Sequence, residues 1–173
     1  MANKTLTFKR VIKAPAAEVY RLWTRASAVR LWFCDAAQIE PRKGGRVYFG
    51  WNGGYYAAGQ VTQAEPGKAL AFTWLGLDEP AATRVKVTFK EKAGVTTLSV
   101  AHAGIGAGKA WAQAAQATDA GWNAGLENLQ SVLETGEDLR IVRRPMLGIM
   151  GMNTLDAETA QKLGVPVTKG ISI

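Results

Sequence analysis

At 173 residues, 47% hydrophobic and 20% charged, the chain is long enough for one globular domain with a full core, plus a short further segment. One cysteine, Cys34, excludes an intrachain disulfide and a cysteine-based zinc cluster; no apolar run suits a signal-peptide core or a membrane span, so the cytoplasm is the default location. The net charge of +7 lies mainly in residues 1–136, where 16 Lys/Arg face 10 Asp/Glu, and its scatter reads as a solubilising surface rather than a nucleic-acid interface.

Thr5 to Ile12 alternates, with Leu6 and Phe8 on one side and Thr7, Lys9 and Val11 on the other, and predicts a first strand. Ala14-Pro15 ends it, and Pro15 suits the start of a helix over Ala16 to Thr24 with Val19, Leu22 and Trp23 as its buried stripe. Ser27 is placed to cap a second short helix through Phe33. Strands are then expected over Ala36 to Glu40, Gly45 to Trp51, Tyr55 to Ala64, Ala69 to Leu75, Thr83 to Lys90 and Val95 to His102. Turn residues divide them, among them Asn52-Gly53-Gly54, a hairpin turn whose central residues need positive φ.

Lys109 to Thr135 reads as one long helix. Trp122, Leu126, Leu129 and Leu133 recur at steps that place them on one face, and Gly136 stands where the helix would end. Its first third is rich in Ala and Gln, with Trp111 as the one large apolar anchor. Gly121 and Gly125 weaken the helix by about 1 kcal/mol each relative to Ala, yet leave room beside Trp122. The strands are one-sided, with an apolar and a polar or basic face. The fold class is therefore α+β: a curved antiparallel sheet around one long helix, with two short helices after the first strand. A curved sheet and a straight rod leave a gap, which is where a ligand would go.

Several phrases in this order, FKRVIKAPAAEVYRLWT, GGRVYF, GQVTQAEPGKALAFTW, RVKVTF with TTLSVAHAG, and GWNAGLENLQSVLE, resemble the helix-grip, START-like proteins of the SRPBCC superfamily. Within it the chain is most similar to the family named after the activator of the heat-shock-protein ATPase (AHSA-like), over about residues 3–136. The resemblance implies a hydrophobic cavity between sheet and long helix. It implies no shared catalytic set, because the superfamily spans lipid and polyketide binders, cyclases and co-chaperones.

Residues 143–173 separately resemble the opening half of a bacterial-protease-type PDZ domain. The resemblance makes Leu147, Gly148 and Ile149 the loop whose N–H groups meet a peptide carboxylate, Leu155 to Leu163 a short helix, and Lys169 to Ile173 the start of a strand. The expected organisation is a START-like domain over 1–136, a linker over 137–144, and a partial PDZ-like segment over 145–173. About thirty residues with half a core should not fold alone, so a docked or mobile appendage, exchange with a second copy in a homodimer, or a truncated segment is the expectation.

Large rings carry the functional signal. Trp32, Phe49, Trp51, Phe72, Trp74, Phe89, Trp111 and Trp122, with Val87, His102 and Leu126, are the candidate ligand-binding set, against the plain alternative that they pack on one another. Tyr48, Tyr55 and Tyr56 fall near the expected mouth as polar handles. His102, the one histidine, shares parity with Leu98 and Val100; it is either a polar or acid/base group in the cavity or a hydrogen-bonded structural residue. Cys34 lacks an obvious base, and Asp35 with Glu40 forms an acid/base pair only if both face inward. No catalytic residue, metal site or cofactor is expected. The leading expectation is a non-enzymatic binder of a small hydrophobic or amphipathic molecule. A co-chaperone-like module using the basic outer face comes second, and a small hydrolase or cyclase built on His102 third.

Overall fold

The computed structural model describes residues 3–144, 153–164, 166 and 170–172. They fall into two compact units, residues 1–142 and 143–173.

The first unit is built on seven antiparallel strands: β1 (Lys4–Ile12), β2 (Ala36–Ile39), β3 (Arg46–Gly50), β4 (Tyr56–Glu65), β5 (Ala69–Gly76), β6 (Thr83–Lys92) and β7 (Val95–Ile105). Their spatial order is β1-β7-β6-β5-β4-β3-β2, so consecutive strands from β2 to β7 are neighbours and β1 closes the far edge. The inner face carries the apolar residues that period-2 reading assigns to it. Leu6 and Phe8 from β1, Leu70, Phe72 and Trp74 from β5, Val85, Val87 and Phe89 from β6, and Leu98, Val100 and His102 from β7 are all buried.

Between β1 and β2 lie α1 (Ala16–Thr24) and the single-turn α2 (Ala26–Val29). The expected cap, Ser27, is not one. Arg25 both ends α1 and begins α2, leaving Ser27 inside the only turn; chain beyond Val29 continues as turns, and Leu31 is exposed. Pro15 at the start of α1 has no side-chain cap of its own. The Ala16 N–H instead finds the Glu91 carboxylate of β6 at 2.8 Å, a cap supplied from across the fold. The β3–β4 turn also differs from expectation. Only Gly54 has positive φ (89°), because Trp51 N–H bonds to Tyr55 C=O and leaves a three-residue loop in place of the tight two-residue turn.

The long helix α3 (Lys109–Glu134) ends at Thr135, followed by Gly136 with φ 77°. Trp122, Leu126 and Leu129 are buried against the sheet, whereas Val132 and Leu133 only rim the core. The C-terminal half is also tied to the edge strand: Gln130 Nε2 donates to Val11 C=O at 3.1 Å, and the Glu134 carboxylate accepts the Lys13 N–H at 2.9 Å. The other half of the helix carries small residues and has no buried residue before Trp122.

After α3, the single turn α4 (Leu139–Val142) belongs to the first unit. Asn128 on α3 accepts the Leu139 N–H at 2.7 Å and donates to Trp32 C=O at 2.8 Å; Arg140 donates to the carbonyls of Arg30 and Cys34 and pairs with Asp138 at 2.7 Å. The Arg140 guanidinium, chiefly by hydrogen bonding, holds the Asp138 carboxyl below its ordinary range.

The second unit holds β8 (Asn153–Leu155), α5 (Ala157–Leu163) and β9 (Gly170–Ser172), with β8 and β9 antiparallel. Asp156 caps α5 by accepting the Thr159 N–H, and Gly164 ends it with φ 65°. The expected carboxylate loop, Leu147, Gly148 and Ile149, lies outside the described residues. No helix among the described residues is long and apolar enough to cross a membrane.

Candidate functional site

Where the N-terminal half of α3 stands over the sheet, a cavity of about 640 Å³ opens. One wall is α3 itself: Ala110, Ala114, Ala117, Gly121, Ala124 and Gly125 recur at helical steps and present almost no side chain. The opposite wall is aromatic, with Trp51 at the end of β3, Trp74 from β5, and Trp32 and Phe33 after α2. Trp122 closes the base. Its ring stacks on Phe33 at 5.2 Å and on Trp23 at 5.7 Å, which fixes it in place. The void thus follows from a size mismatch: large rings on sheet and loop face a helix surface too small to meet them.

Gln113 and Thr118 add polar side chains to the α3 wall, and further polar groups gather at two places. At one, Asn128 and Arg140 are already engaged in the contacts that hold α4. At the other, the turn after β5 brings Leu77, Asp78 and Glu79 to the wall. Glu79 Oε1 accepts from Tyr55 Oη at 3.0 Å and from Trp74 Nε1 at 3.3 Å, and Oε2 accepts the Gly76 N–H at 3.0 Å. Burial, then the neighbouring Glu79 charge, pushes the Tyr55 hydroxyl above its ordinary pKa.

Of the eleven sequence-derived candidates, Trp32, Trp51, Trp74 and Trp122 meet on the cavity wall. Phe49, Phe72, Val87, Phe89 and Leu126 lie behind it as buried core and do not line it. Trp111 turns away, its indole against Gly106, where any Cβ would collide with it. Of the tyrosines only Tyr55 lines the cavity. Tyr48 and Tyr56 stack on each other at 6.1 Å beside a separate hollow of about 240 Å³.

His102 is 1% exposed and does not line the cavity either. Trp122 Nε1–H donates to its Nδ1 at 3.0 Å, which places the proton on Nε2; that N–H donates to Thr83 Oγ1 at 2.7 Å, and the Thr83 hydroxyl donates to Trp74 C=O at 3.0 Å. The chain is saturated with a neutral ring, and burial lowers the histidine pKa to about 4. It locks Trp122 to Trp74 and has no free nitrogen for acid/base work. Cys34 is fully buried with its pKa pushed by burial to about 12, so its thiolate is scarce at neutral pH. Asp35 accepts the Asn52 N–H and Glu40 pairs with Arg42, which accounts for both carboxylates outside the cavity. Among the described residues no three His, Cys, Asp or Glu are grouped to hold a metal ion.

Sequence reasoning missed Phe33, the Asp78–Glu79 turn, Asn128 and Arg140. The Ala/Gly spacing at 110, 114, 117, 121 and 125 was the available signal, because a small-residue helix face opposite large rings cannot fill the space between them.

Comparison with known proteins bears on the fold that positions this site. The profile of the Activator of Hsp90 ATPase homolog 1-like protein family matches residues 13–134. Protein MLL2253 from Mesorhizobium loti superposes with a TM-score of 0.69 at 22% identity, covering 78% of this chain and 99% of that one. The Aha1 dimer from Colwellia psychrerythraea gives 0.67 at 20% identity, covering 79% and 99%. DynU16, a protein in the dynemicin biosynthetic locus, gives 0.69 at 24% identity, covering 88% of this chain and 55% of that one. At these identities the likeness concerns the fold. No curated protein matches the chain. The PDZ-like reading of residues 143–173 rests on sequence phrases alone.

Proposed function

Because the chain belongs to the Activator of Hsp90 ATPase homolog 1-like family, whose shared fold leaves the activity open, we propose that it binds a small hydrophobic or amphipathic molecule between sheet and long helix. One observation carries the reading: a cavity of about 640 Å³ walled by four indoles and a bare helix face. This lies within the range of small-molecule sites, mostly apolar with a few placed polar groups. The saturated hydrogen bonds of His102 favour binding over chemistry at that residue.

Native mass spectrometry of the full chain against a panel of lipids and apolar metabolites tests this. A single adduct per chain at micromolar concentration is expected; a panel with no retained adduct would count against the cavity as a binding site. The same spectra read the oligomeric state, since a homodimer appears as doubled mass.

A second reading, a co-chaperone-like protein contact, is favoured by the outer sheet face. Lys9, Arg84, Lys86 and Lys90 are exposed there beside the small β7 residues Ser99, Ala103, Ala101 and Thr97. Such a strip suits an acidic protein surface. Capture of a heat-shock ATPase by the immobilised chain should weaken severalfold between low and high salt; salt-independent capture, or none, would remove this reading.

A further inference from the structure

At one end of the cavity three hydrogen-bond donors converge on a single carboxylate and are already spent. Tyr55 Oη, Trp74 Nε1 and the Gly76 N–H all point at the Glu79 carboxylate. Asp78 stands beside it on the wall, and among the described residues neither carboxylate is paired with a cation. A ligand head arriving here meets two carboxylates whose neighbouring side-chain donors are taken, while Gln113 and Thr118 stand on the α3 wall. The arrangement is built with some strain: Asp78 has a left-handed backbone (φ 61°), and a Cβ at Gly76 would collide with both Tyr55 Oη and Glu79 Oε1. Rings surround the same spot. Trp51 lies 5.4 Å from Tyr55 and 6.4 Å from Trp74, and Trp74 lies 5.9 Å from Trp122, centroid to centroid.

The one basic residue on the wall, Arg140, is neutralised by Asp138 and donates to the Arg30 and Cys34 carbonyls. In a chain of net charge +7, this pocket end is therefore locally acidic. Aromatic rings with adjacent carboxylates attract an organic cation through both the ring quadrupole and Coulomb attraction, and the effect grows as the head loses water.

Resting on the cavity as a ligand site, we infer that its preferred ligand is a cationic amphiphile, its amine or quaternary ammonium head between the Trp51–Trp74–Tyr55 rings and the Asp78–Glu79 carboxylates, and its apolar tail along the bare face of α3. An anionic head of equal length is disfavoured there, because it meets the like charges of Asp78 and Glu79. A neutral hydroxyl head is accepted but not selected.

Three probes of one chain length separate the cases: n-octyltrimethylammonium, n-octanol and n-octanoate, titrated calorimetrically into the full chain at low salt and below micelle-forming concentrations. The cation should bind at least about tenfold tighter than octanol, with octanoate weakest, a spacing that corresponds to one or more steps of about 1.4 kcal/mol. Glu79→Gln should cut the cation-to-octanol preference at least threefold. Asp78→Asn provides the same reading at an exposed site with a residue that tolerates left-handed backbone, should the Glu79 variant disturb the turn. Equal affinities for cation and octanol, tightest binding of octanoate, or a preference unmoved in both variants would overturn the head-group assignment with the cavity reading intact. Failure of all three probes to bind would overturn the cavity reading, and this inference with it.

Discussion

Phenylalanine in place of Gly121 is expected to weaken binding of an apolar ligand at least about tenfold, a loss of about 1.4 kcal/mol or more, without lowering the melting temperature. Gly121 lies on the helix face that lines the cavity, and a Cβ built there meets nothing within 4 Å. A ring carried on that Cβ has the void that the ligand would occupy to enter, and its first atom displaces nothing. The backbone gains as well, since glycine inside a helix costs about 1 kcal/mol relative to alanine and phenylalanine costs less. Gly121→Ala is the control: the same helix stiffening, little added volume, and binding close to wild type. Gly125 is not an equivalent site, because its Cβ would approach the Phe33 ring at 3.1 Å and push on the Trp122 stack. Undiminished binding by the Gly121→Phe protein would place the ligand elsewhere.

Acid should destabilise the protein in a defined window. His102 titrates near 4 in the folded state against an ordinary 6.5, because the ring is buried and its Nδ1 accepts from Trp122. The unfolded chain therefore takes up this proton first. Above pH 6.5 the ring is neutral in both states and the full contribution is present; it drains away as pH falls from 6.5 to 4, amounting to about 3 kcal/mol, and is gone below 4. Asp138, whose pKa is lowered from 3.8, acts only at more acid pH, so the two windows separate. Urea unfolding midpoints from pH 7.5 to 4 measure the slope. A His102→Gln variant, less stable at neutral pH because Trp122 and Thr83 lose their shared partner, should show almost no slope across this window. A wild-type midpoint that stays flat would mean that the histidine is not held neutral by the fold.

What could be read from the sequence and what could not divide along a physical line. Strand faces follow from period 2 and the long helix from its Trp122–Leu126–Leu129 spacing, since burial on one side of a regular element leaves that pattern in the residues themselves. The seven strands and the long helix were legible for this reason. The family phrases over residues 3–136 pointed the same way as the profile match over residues 13–134. The single-turn α2 was not legible, because sharing Arg25 with α1 is a matter of local geometry that Ser27 cannot signal.

The cavity wall was half legible. Inward rings could be named, but which of them pack and which stay bare depends on where the small-residue half of α3 stands. Phe72 and Trp74 share one strand face; Phe72 is covered, while Trp74 reaches the void. Glu79 escaped notice because it comes from a turn, and its importance lies in two donors at the end of β5, Trp74 and Gly76, joined by Tyr55 from 24 residues upstream. His102 shows the same limit in reverse. Its inward parity was correct, and only the partners Thr83 and Trp122 decide that it is a structural bridge.

The account turns on an apolar ligand entering the space between α3 and the indoles, and the six tryptophans report on that directly. Four of them, Trp32, Trp51, Trp74 and Trp122, line the cavity, whereas Trp23 and Trp111 do not. In a nitrogen–proton correlation spectrum of the indole N–H groups, titration with n-octanol should move the Trp51 and Trp74 signals most, move those of Trp32 and Trp122, and leave Trp111 in place. Signals that all stay fixed at saturating ligand, or a shift centred on Trp111, would contradict it.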